Sequence, residues 1–184
     1  MNKYIFDSHV HSNNSFDALD SVIELCEMAI KNNIDGFCIT DHLEVHEYSE
    51  EYEKSITKSH KDTREAAILF KDKLKLRTGI EMAQPLQDIK TAEIILEKFP
   101  CDFIIGSMHS VKNEKDFYFM EKCDFEHRVD ELLTKYYEEY YEMVKWGKFD
   151  VIGHITYPLR YIEGNFKMKI DMTKYNEVIY EMLK

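Results

Sequence analysis

The sequence predicts an α/β fold in which parallel strands and helices alternate, as in a short or incomplete barrel. Segments with strand character and segments with helical periodicity follow one another five times along the 184 residues. Strands that are joined through helices run parallel, with right-handed crossovers. A complete eight-unit barrel takes about 250 residues, so this chain has room for fewer units. We place them in a single domain, residues 1–184.

Five short segments combine apolar and strand-forming residues, and each is followed by a helical segment. We predict strands at residues 4–8, 36–40, 74–81, 102–108 and 150–154. The two longest connections that follow them, residues 44–53 and 110–124, each come after a strand that ends at a histidine. Long loops in that position are typical of active-site covers.

Helical periodicity and capping residues mark the intervening segments. We predict helices at residues 21–30, 61–71, 89–99, 125–146 and 173–183. Ser21 with Glu24 forms a capping box at the first of them, and Gly147 closes the long fourth helix. Packing is the expected role of the tyrosines and of Trp146 on that helix.

The charge balance restricts the class of binding partner. The chain has 24 Lys+Arg against 35 Asp+Glu, a formal charge of −11, which disfavours a groove for long nucleic acid. A small phosphorylated metabolite can still bind, because cations held in a site reverse the local sign of the field. We therefore expect a small metabolite as the partner.

The amino-terminal sequence predicts a cytoplasmic protein with no membrane partner. Asp7, His9 and His11 follow the first few residues at once, so there is no apolar stretch long enough for a signal peptide or a membrane span. The four cysteines form no C-x-x-C pair, and we expect them to be reduced, structural thiols.

Potential metal ligands lie at or just beyond the end of every predicted strand. They are His9 and His11, Asp41 and His42, Glu81, His109, and His154. The carboxyl ends of parallel barrel strands share one face, so these side chains are expected to converge. The spacing of His9 and His11 also puts both imidazoles on one face of a strand. Solvent-facing or hydrogen-bonded histidines are the alternative for such a pair taken alone.

Five motifs carry a resemblance to a known family. They are Asp7-Ser8-His9-Val10-His11-Ser12, Thr40-Asp41-His42, Gly79-Ile80-Glu81, Gly106-Ser107-Met108-His109 and Gly153-His154. In this order they resemble the successive motifs of the polymerase and histidinol phosphatase (PHP) superfamily, and most closely those of histidinol-phosphate phosphatases. The resemblance implies a distorted (β/α)₇, TIM-like barrel.

The resemblance also implies up to three metal ions and assigns their ligands. The first ion would be held by His9, His11 and Glu81, the second by Glu81, His109 and His154, and the third by Asp17 and His42. Mixed imidazole and carboxylate ligands suit Zn²⁺, Mn²⁺ or Fe²⁺ and are too nitrogen-rich for Mg²⁺ or Ca²⁺. We expect two or three such divalent transition metals as cofactors.

The function implied is a metal-dependent phosphatase that converts L-histidinol phosphate and water to L-histidinol and phosphate, in histidine biosynthesis. Two cations about 3.5–4 Å apart would generate a hydroxide and neutralise the phosphate oxygens. We assign Glu81, His42 and Asp17 as catalytic, and Arg160 and His42 as substrate-binding. The planar guanidinium of Arg160 suits bidentate capture of a phosphate, and a surface salt bridge is the alternative.

Several residues have competing interpretations. Asp17 is either a metal ligand or an N-terminal cap of the first helix, and the resemblance favours the ligand. Asp41 is interpreted as a partner that orients a histidine rather than as a ligand. The remaining histidines, His46, His60 and His127, are expected to be exposed.

The chain departs from the family pattern at its carboxyl end, where no late Asp-x-His motif occurs before Lys184. The barrel is therefore expected to be incomplete there, with its first and third metal sites short of ligands. A homo-oligomer, an exchange of elements or the final helix would have to cover the open edge. The alternative functions are a PHP phosphoesterase for nucleotides or another small phosphate ester, and a catalytically weak metal-binding relic.

Overall fold

A computed structural model describes residues 4–184 and shows six strands, all paired in parallel. The strands are β1 Phe6–Val10, β2 Gly36–Ile39, β3 His42–Glu44, β4 Lys75–Ala83, β5 Phe103–Ser107 and β6 Val151–Ile152. Their order in the sheet is β1-β2-β4-β5-β6, and β3 pairs with β4. The predicted α/β architecture with parallel strands is confirmed.

The strand β3 was not predicted, because three residues are too few for a periodic pattern. It continues the path of β2 alongside β4 after a break at Thr40 and Asp41. Register pairs His42 with Glu81, so these two motif residues lie side by side on neighbouring strands. The last strand is shorter than the predicted 150–154, and His154 lies two residues beyond its end.

Within residues 4–184, seven α-helices connect or flank the strands. They are α1 Val22–Lys31, α2 Glu50–Leu69, α3 Ile89–Lys98, α4 Lys122–Phe125, α5 Val129–Trp146, α6 Tyr157–Leu159 and α7 Asn176–Met182. The capping box at Ser21 is confirmed. The predicted start of α2 at 61 is wrong, since Ser49 caps the helix and acidic residues occupy its first turn, which the helix dipole favours.

The predicted helix 125–146 is divided into α4 and α5. His127 has a positive φ of 63°, which interrupts the helical hydrogen bonding between them. In α5 the tyrosines at 136, 137 and 140 are fully buried, so the expectation that they pack in the core is confirmed. Gly147 ends the helix in the left-handed conformation with φ 64°.

Buried apolar side chains of the helices and strands form three clusters. The expectation that His60 is exposed is wrong: it lies on the inner face of α2, buried against Phe99. The four cysteines are all free thiols. Among residues 4–184, no helix has the length and apolar character needed to cross a membrane.

Candidate metal centre

Glu81 lies at the middle of a histidine cluster formed at the carboxyl ends of the strands. Its side chain is fully buried, and the nearest imidazole nitrogens lie between 2.8 and 3.3 Å from its two oxygens. Oε2 faces His9 at 3.3 Å, His11 at 3.1 Å and His42 at 3.3 Å, and Oε1 faces His109 at 3.2 Å and His154 at 2.8 Å. All the histidines of the five motifs therefore meet at this one carboxylate.

His9 and His11 enter the cluster from the end of β1, as their spacing predicts. Their Nε2 atoms lie 3.0 Å apart, and both face Oε2 of Glu81. Two imidazole nitrogens and a carboxylate oxygen about 3 Å apart have the separation of neighbouring ligands around one cation, since Zn–N bonds are about 2.0–2.1 Å long.

Asp17 belongs to the same cluster rather than to the cap of α1. Its carboxylate oxygens lie 3.1 Å from Nδ1 of His11 and 3.4 Å from Nε2 of His42. The cap position is occupied by Ser21. The alternative left open by the sequence is thus decided in favour of contact with the histidines.

Asp41 does not orient a histidine. It is buried and accepts hydrogen bonds from Ser12, Ser15 and Ser59, including both the backbone N–H and the hydroxyl of Ser12. Ser15 in turn accepts a bond from the backbone N–H of His42. The interpretation of Asp41 as a histidine partner was wrong: it holds the loop after β1 against β2 and α2.

Three groups within the cluster have ligand atoms close enough to hold a cation. They are His9, Glu81 and His154; His11, Asp17 and His42; and His42, Glu81 and His109. Oε2 of Glu81 and Nδ1 of His42 are buried without a hydrogen-bond partner among the described residues. A buried, unpaired carboxylate oxygen is costly, and a cation would satisfy it, so these residues fit a transition metal.

Electrostatics in the cluster favour positive charge. Burial works against protonation of His42, but the carboxylates of Asp17 and Glu44 beside its ring outweigh it and raise the pKa of His42 to about 9. Burial likewise opposes the ionised form of Glu81, yet His109, which is hydrogen-bonded to Oε1, and the other imidazoles around the carboxylate hold its pKa well below the usual value. The carboxylates stay ionised, and protons or cations must balance them.

A cavity of about 670 Å³ opens over the cluster. The seven predicted ligands line it, together with Arg160, so the structure brings this arginine to the same cavity as predicted. Phe16, Leu19 and Tyr118 form an apolar rim, and Phe16 stacks on His42 with ring centroids 4.8 Å apart. A charged interior with an apolar rim suits a small ester with a phosphate and an organic leaving group.

The family described as PHP domain matches residues 7–184. The chain belongs to the PHP domain family. A histidinol-phosphatase from Lactococcus lactis is 23% identical over 97% of this chain, and a probable histidinol-phosphatase from Thermotoga maritima is 26% identical over 91%. The chain spans 66% and 61% of the length of these two relatives, respectively.

Solved structures show the same fold. One is the crystal structure of histidinol phosphate phosphatase from Lactococcus lactis in complex with zinc, L-histidinol and phosphate. It matches this chain with a TM-score of 0.75 at 20% identity, and the match covers 97% of this chain and 68% of the Lactococcus chain. A putative histidinol phosphatase from Listeria monocytogenes has a TM-score of 0.75 at 17% identity, covering 96% of this chain and 75% of its own. This PHP domain thus has the α/β half-barrel fold of those structures.

Glu44 and Gln84 are site residues of this PHP domain that the sequence analysis missed. Glu44 is buried and contacts His109 and His42, and Gln84 contacts Glu44. The two-residue spacing of His42 and Glu44 places both side chains on one face of β3, which is the same pattern that indicated His9 and His11. No comparable pattern indicates Gln84, because its role depends on a turn.

Proposed function

We propose that this PHP domain hydrolyses a small phosphomonoester with bound divalent transition metals, and that the substrate is L-histidinol phosphate. The observation that carries the proposal is the convergence of five imidazoles on Glu81 in a cavity that also contains Arg160. The similarity to histidinol-phosphatases supports this choice of substrate. The products would be L-histidinol and phosphate.

Two or three ions of Zn²⁺, Mn²⁺ or Fe²⁺ are proposed to bind at the cluster. We assign His9, His11 and Glu81 to the first ion, Glu81, His109 and His154 to the second, and Asp17 and His42 to the third. When bound, such ions supply an activated water and neutralise the phosphate oxygens. Imidazole and carboxylate together form the donor set expected for these metals.

The chain's own residues bind and orient the ester. Arg160 is exposed at the cavity wall, with its guanidinium 6.0 Å from the ring centroid of Tyr161. Its planar, permanent charge can hold two phosphate oxygens. His42 Nε2 and Asp17 Oδ2, 3.4 Å apart, are placed to hold either a proton beside the phosphate or the third cation. The apolar rim of Phe16 and Tyr118 would exclude water around the leaving group.

We also propose that residues 1–184 form a single domain, and that this domain acts in the cytoplasm on a small metabolite. Among residues 4–184, β1 and β6 lie at the two ends of the strand order, so each has an unpaired edge. A homo-oligomer is proposed to cover these edges, because unpaired strand edges invite pairing.

Metal content and phosphate release together test the function. Metal-free protein, prepared with a chelator, is reloaded separately with Zn²⁺, Mn²⁺ and, without oxygen, Fe²⁺, and bound metal is counted by elemental analysis. Phosphate release is then measured with L-histidinol phosphate, a nucleoside monophosphate and p-nitrophenyl phosphate. We expect at least two ions per chain and a kcat/KM for L-histidinol phosphate well above those for the other two esters.

Other outcomes distinguish the alternatives. A preference for the nucleotide would replace the proposed substrate with a nucleotide within the same reaction class. Binding of fewer than two ions without turnover of any ester would reject the phosphatase and favour a metal-binding relic. Substitution of the exposed His127 by Asn is a suitable control, because this histidine lies outside the cluster and its loss should change neither measurement.

A further inference from the structure

Glu44 lies behind the histidine cluster and contacts His109 at the ring nitrogen that faces away from Glu81. Nδ1 of His109 is 2.8 Å from Oε1 of Glu44, and Nε2 of the same ring is 3.2 Å from Oε1 of Glu81. Glu44 is only 5% exposed. The imidazole of His109 therefore connects two buried carboxylates, one of which is at the centre of the cluster.

The two carboxylates occupy different positions relative to a cation. The groups whose ligand atoms could surround one ion include Glu81 with His109, and none of those found within residues 4–184 includes Glu44. A carboxylate on the far side of a metal-bound imidazole affects the metal through the ring, by fixing which nitrogen carries the proton. Glu44 has that position toward His109.

The direction of the hydrogen bonds around Glu44 can be traced from the backbone. The backbone N–H of His109 donates to Oε1 of Gln84 at 3.3 Å, and a backbone N–H can only donate. This contact fixes the orientation of the Gln84 amide, whose Nε2 then donates to Oε2 of Glu44 at 3.0 Å and to Oγ of Ser110 at 3.0 Å. Glu44 is thus an acceptor at Oε2.

The other oxygen of Glu44 completes the chain. An ionised carboxylate only accepts hydrogen bonds, so the contact at Oε1 requires a proton on Nδ1 of His109. In a neutral imidazole with a proton on Nδ1, the lone pair is on Nε2. That lone pair points toward Glu81, where a cation would bind.

The backbone conformation of Gln84 places its side chain in this network. Gln84 directly follows β4 and has a left-handed conformation, with φ 50° and ψ 47°, which is uncommon for a residue other than glycine. Its backbone N–H donates to the carbonyl of Ser107 at the end of β5. The turn therefore brings the Gln84 amide between Glu44 and His109, where all its polar atoms have partners.

We propose that Glu44, held in place by Gln84, is a positioning residue that fixes His109 in the Nδ1–H tautomer and presents the Nε2 lone pair to a cation at Glu81. The inference rests on the metal-binding part of the proposed function. It adds a specific role for two residues that follow the Asp-His and Gly-Ile-Glu motifs, and it applies whichever ester is the substrate.

Substitutions that alter the hydrogen-bond directions test the proposal. Glu44→Gln keeps the shape but places an NH₂ group against either the Gln84 amide or the Nδ1–H of His109. We expect the affinity for Zn²⁺, measured by competition with a chelator, to fall about 10–100-fold. The double exchange Glu44→Gln with Gln84→Glu restores one acceptor toward His109 and reverses the bond between the two side chains. It should recover most of the lost affinity.

The matched control is Glu47→Gln, which makes the same change at an exposed residue three positions further along. It should leave the affinity unchanged. Thermal unfolding of each metal-free variant separates a loss of folding from a loss of metal binding. The absorption spectrum of the Co²⁺-loaded protein should change for Glu44→Gln and return toward the wild-type spectrum in the double exchange.

A spectroscopic measurement on the wild-type protein tests the tautomer of His109 directly. ¹⁵N NMR of the Zn²⁺-loaded protein, with His109 assigned by comparison with His109→Asn, should show a proton on Nδ1 and metal bonding at Nε2. A proton on Nε2, or wild-type affinity in Glu44→Gln, would overturn this inference alone. Wild-type protein that binds no transition metal would overturn the proposed function together with it.

Discussion

Nε2 of His154 lies 2.8 Å from Oε1 of Glu81, although 73 residues separate them in the sequence. The register of the sheet explains this proximity. Glu81 in β4 is level with Ile105 in β5, which is level with Val151 in β6. His154 lies three residues beyond Val151, at the carboxyl end of the strands. Parallel pairing therefore brings a residue from near each strand end to one carboxylate.

Substitution Glu81→Gln should remove metal binding and activity together. The amide retains the shape of the side chain but cannot balance the charge of the cations proposed to bind among the five imidazoles. We expect fewer than one tightly bound ion per chain, and kcat for phosphate release lower by more than about 100-fold. Elemental analysis and a phosphate assay check both. The exposed Glu97→Gln serves as control, and retention of two ions in Glu81→Gln would contradict the central role of this carboxylate.

Substitution Arg160→Lys should weaken substrate binding without changing the metal content. Lysine keeps the charge but loses the planar pair of donors, so one charge-assisted hydrogen bond to phosphate is lost. Such bonds contribute about 1.5–3 kcal/mol, which corresponds to a kcat/KM roughly 10- to 100-fold lower. Steady-state kinetics and elemental analysis are the measurements. Arg64→Lys, on α2 and away from the cavity, should have no effect, and unchanged kinetics in Arg160→Lys would favour a surface role for this arginine.

The convergence of the histidines on Glu81 could be predicted from the sequence because residue type and strand position coincide. Glu81 and His109 each follow an apolar run that buries a parallel strand, and such runs are readable from composition. His9 and His11 add the two-residue spacing of a strand. Residues at the carboxyl ends of parallel strands converge, so the prediction that these side chains meet required only the order of the strands and helices.

The residues that surround the histidine cluster could not be predicted in the same way. Asp41 belongs to the Thr40-Asp41-His42 motif, but its hydrogen bonds come from serines of the loop after β1 and of α2. These contacts depend on how that loop folds back. Gln84 acts through a left-handed turn that no local preference indicates. The early start of α2 was missed because its first turns are charged, and this error left His60 outside the predicted helix. Tertiary packing decides each of these features.

Substitution Asp41→Asn should destabilise the fold and disturb the metal centre indirectly. The buried carboxylate accepts bonds from the backbone N–H of Ser12 and from three serine hydroxyls, and one oxygen would be replaced by a donor. We expect the free energy of unfolding to fall by about 1–3 kcal/mol, in the presence and absence of metal. Urea unfolding measures it, with the exposed Asp72→Asn as control. A loss of metal affinity at unchanged stability would instead indicate a direct contact between Asp41 and a ligand.

Metal-free protein should lose stability as the pH rises above neutrality. Burial disfavours protonation of His42, but the carboxylate of Asp17 outweighs it and raises the pKa of His42 to about 9. Burial also disfavours protonation of His109, but the carboxylate of Glu44 outweighs it and raises the pKa of His109 to about 10. Imidazoles in unfolded chains have a pKa of about 6.5. The contribution of His42 and His109 to the stability of the fold is therefore complete below a pH of about 6.5, and it is lost as the pH rises through about 9 to 10.

The measurement is urea unfolding with a chelator at pH 6.5, 8 and 9.5. We expect the free energy of unfolding to fall by on the order of a few kcal/mol across this range, and His42→Asn to reduce the difference. With Zn²⁺ in place of the chelator, the trend between pH 6.5 and 8 should reverse, because protons then compete with the cation for the same nitrogens. Stability of the metal-free protein that rises with pH would show that these histidines are neutral without a cation.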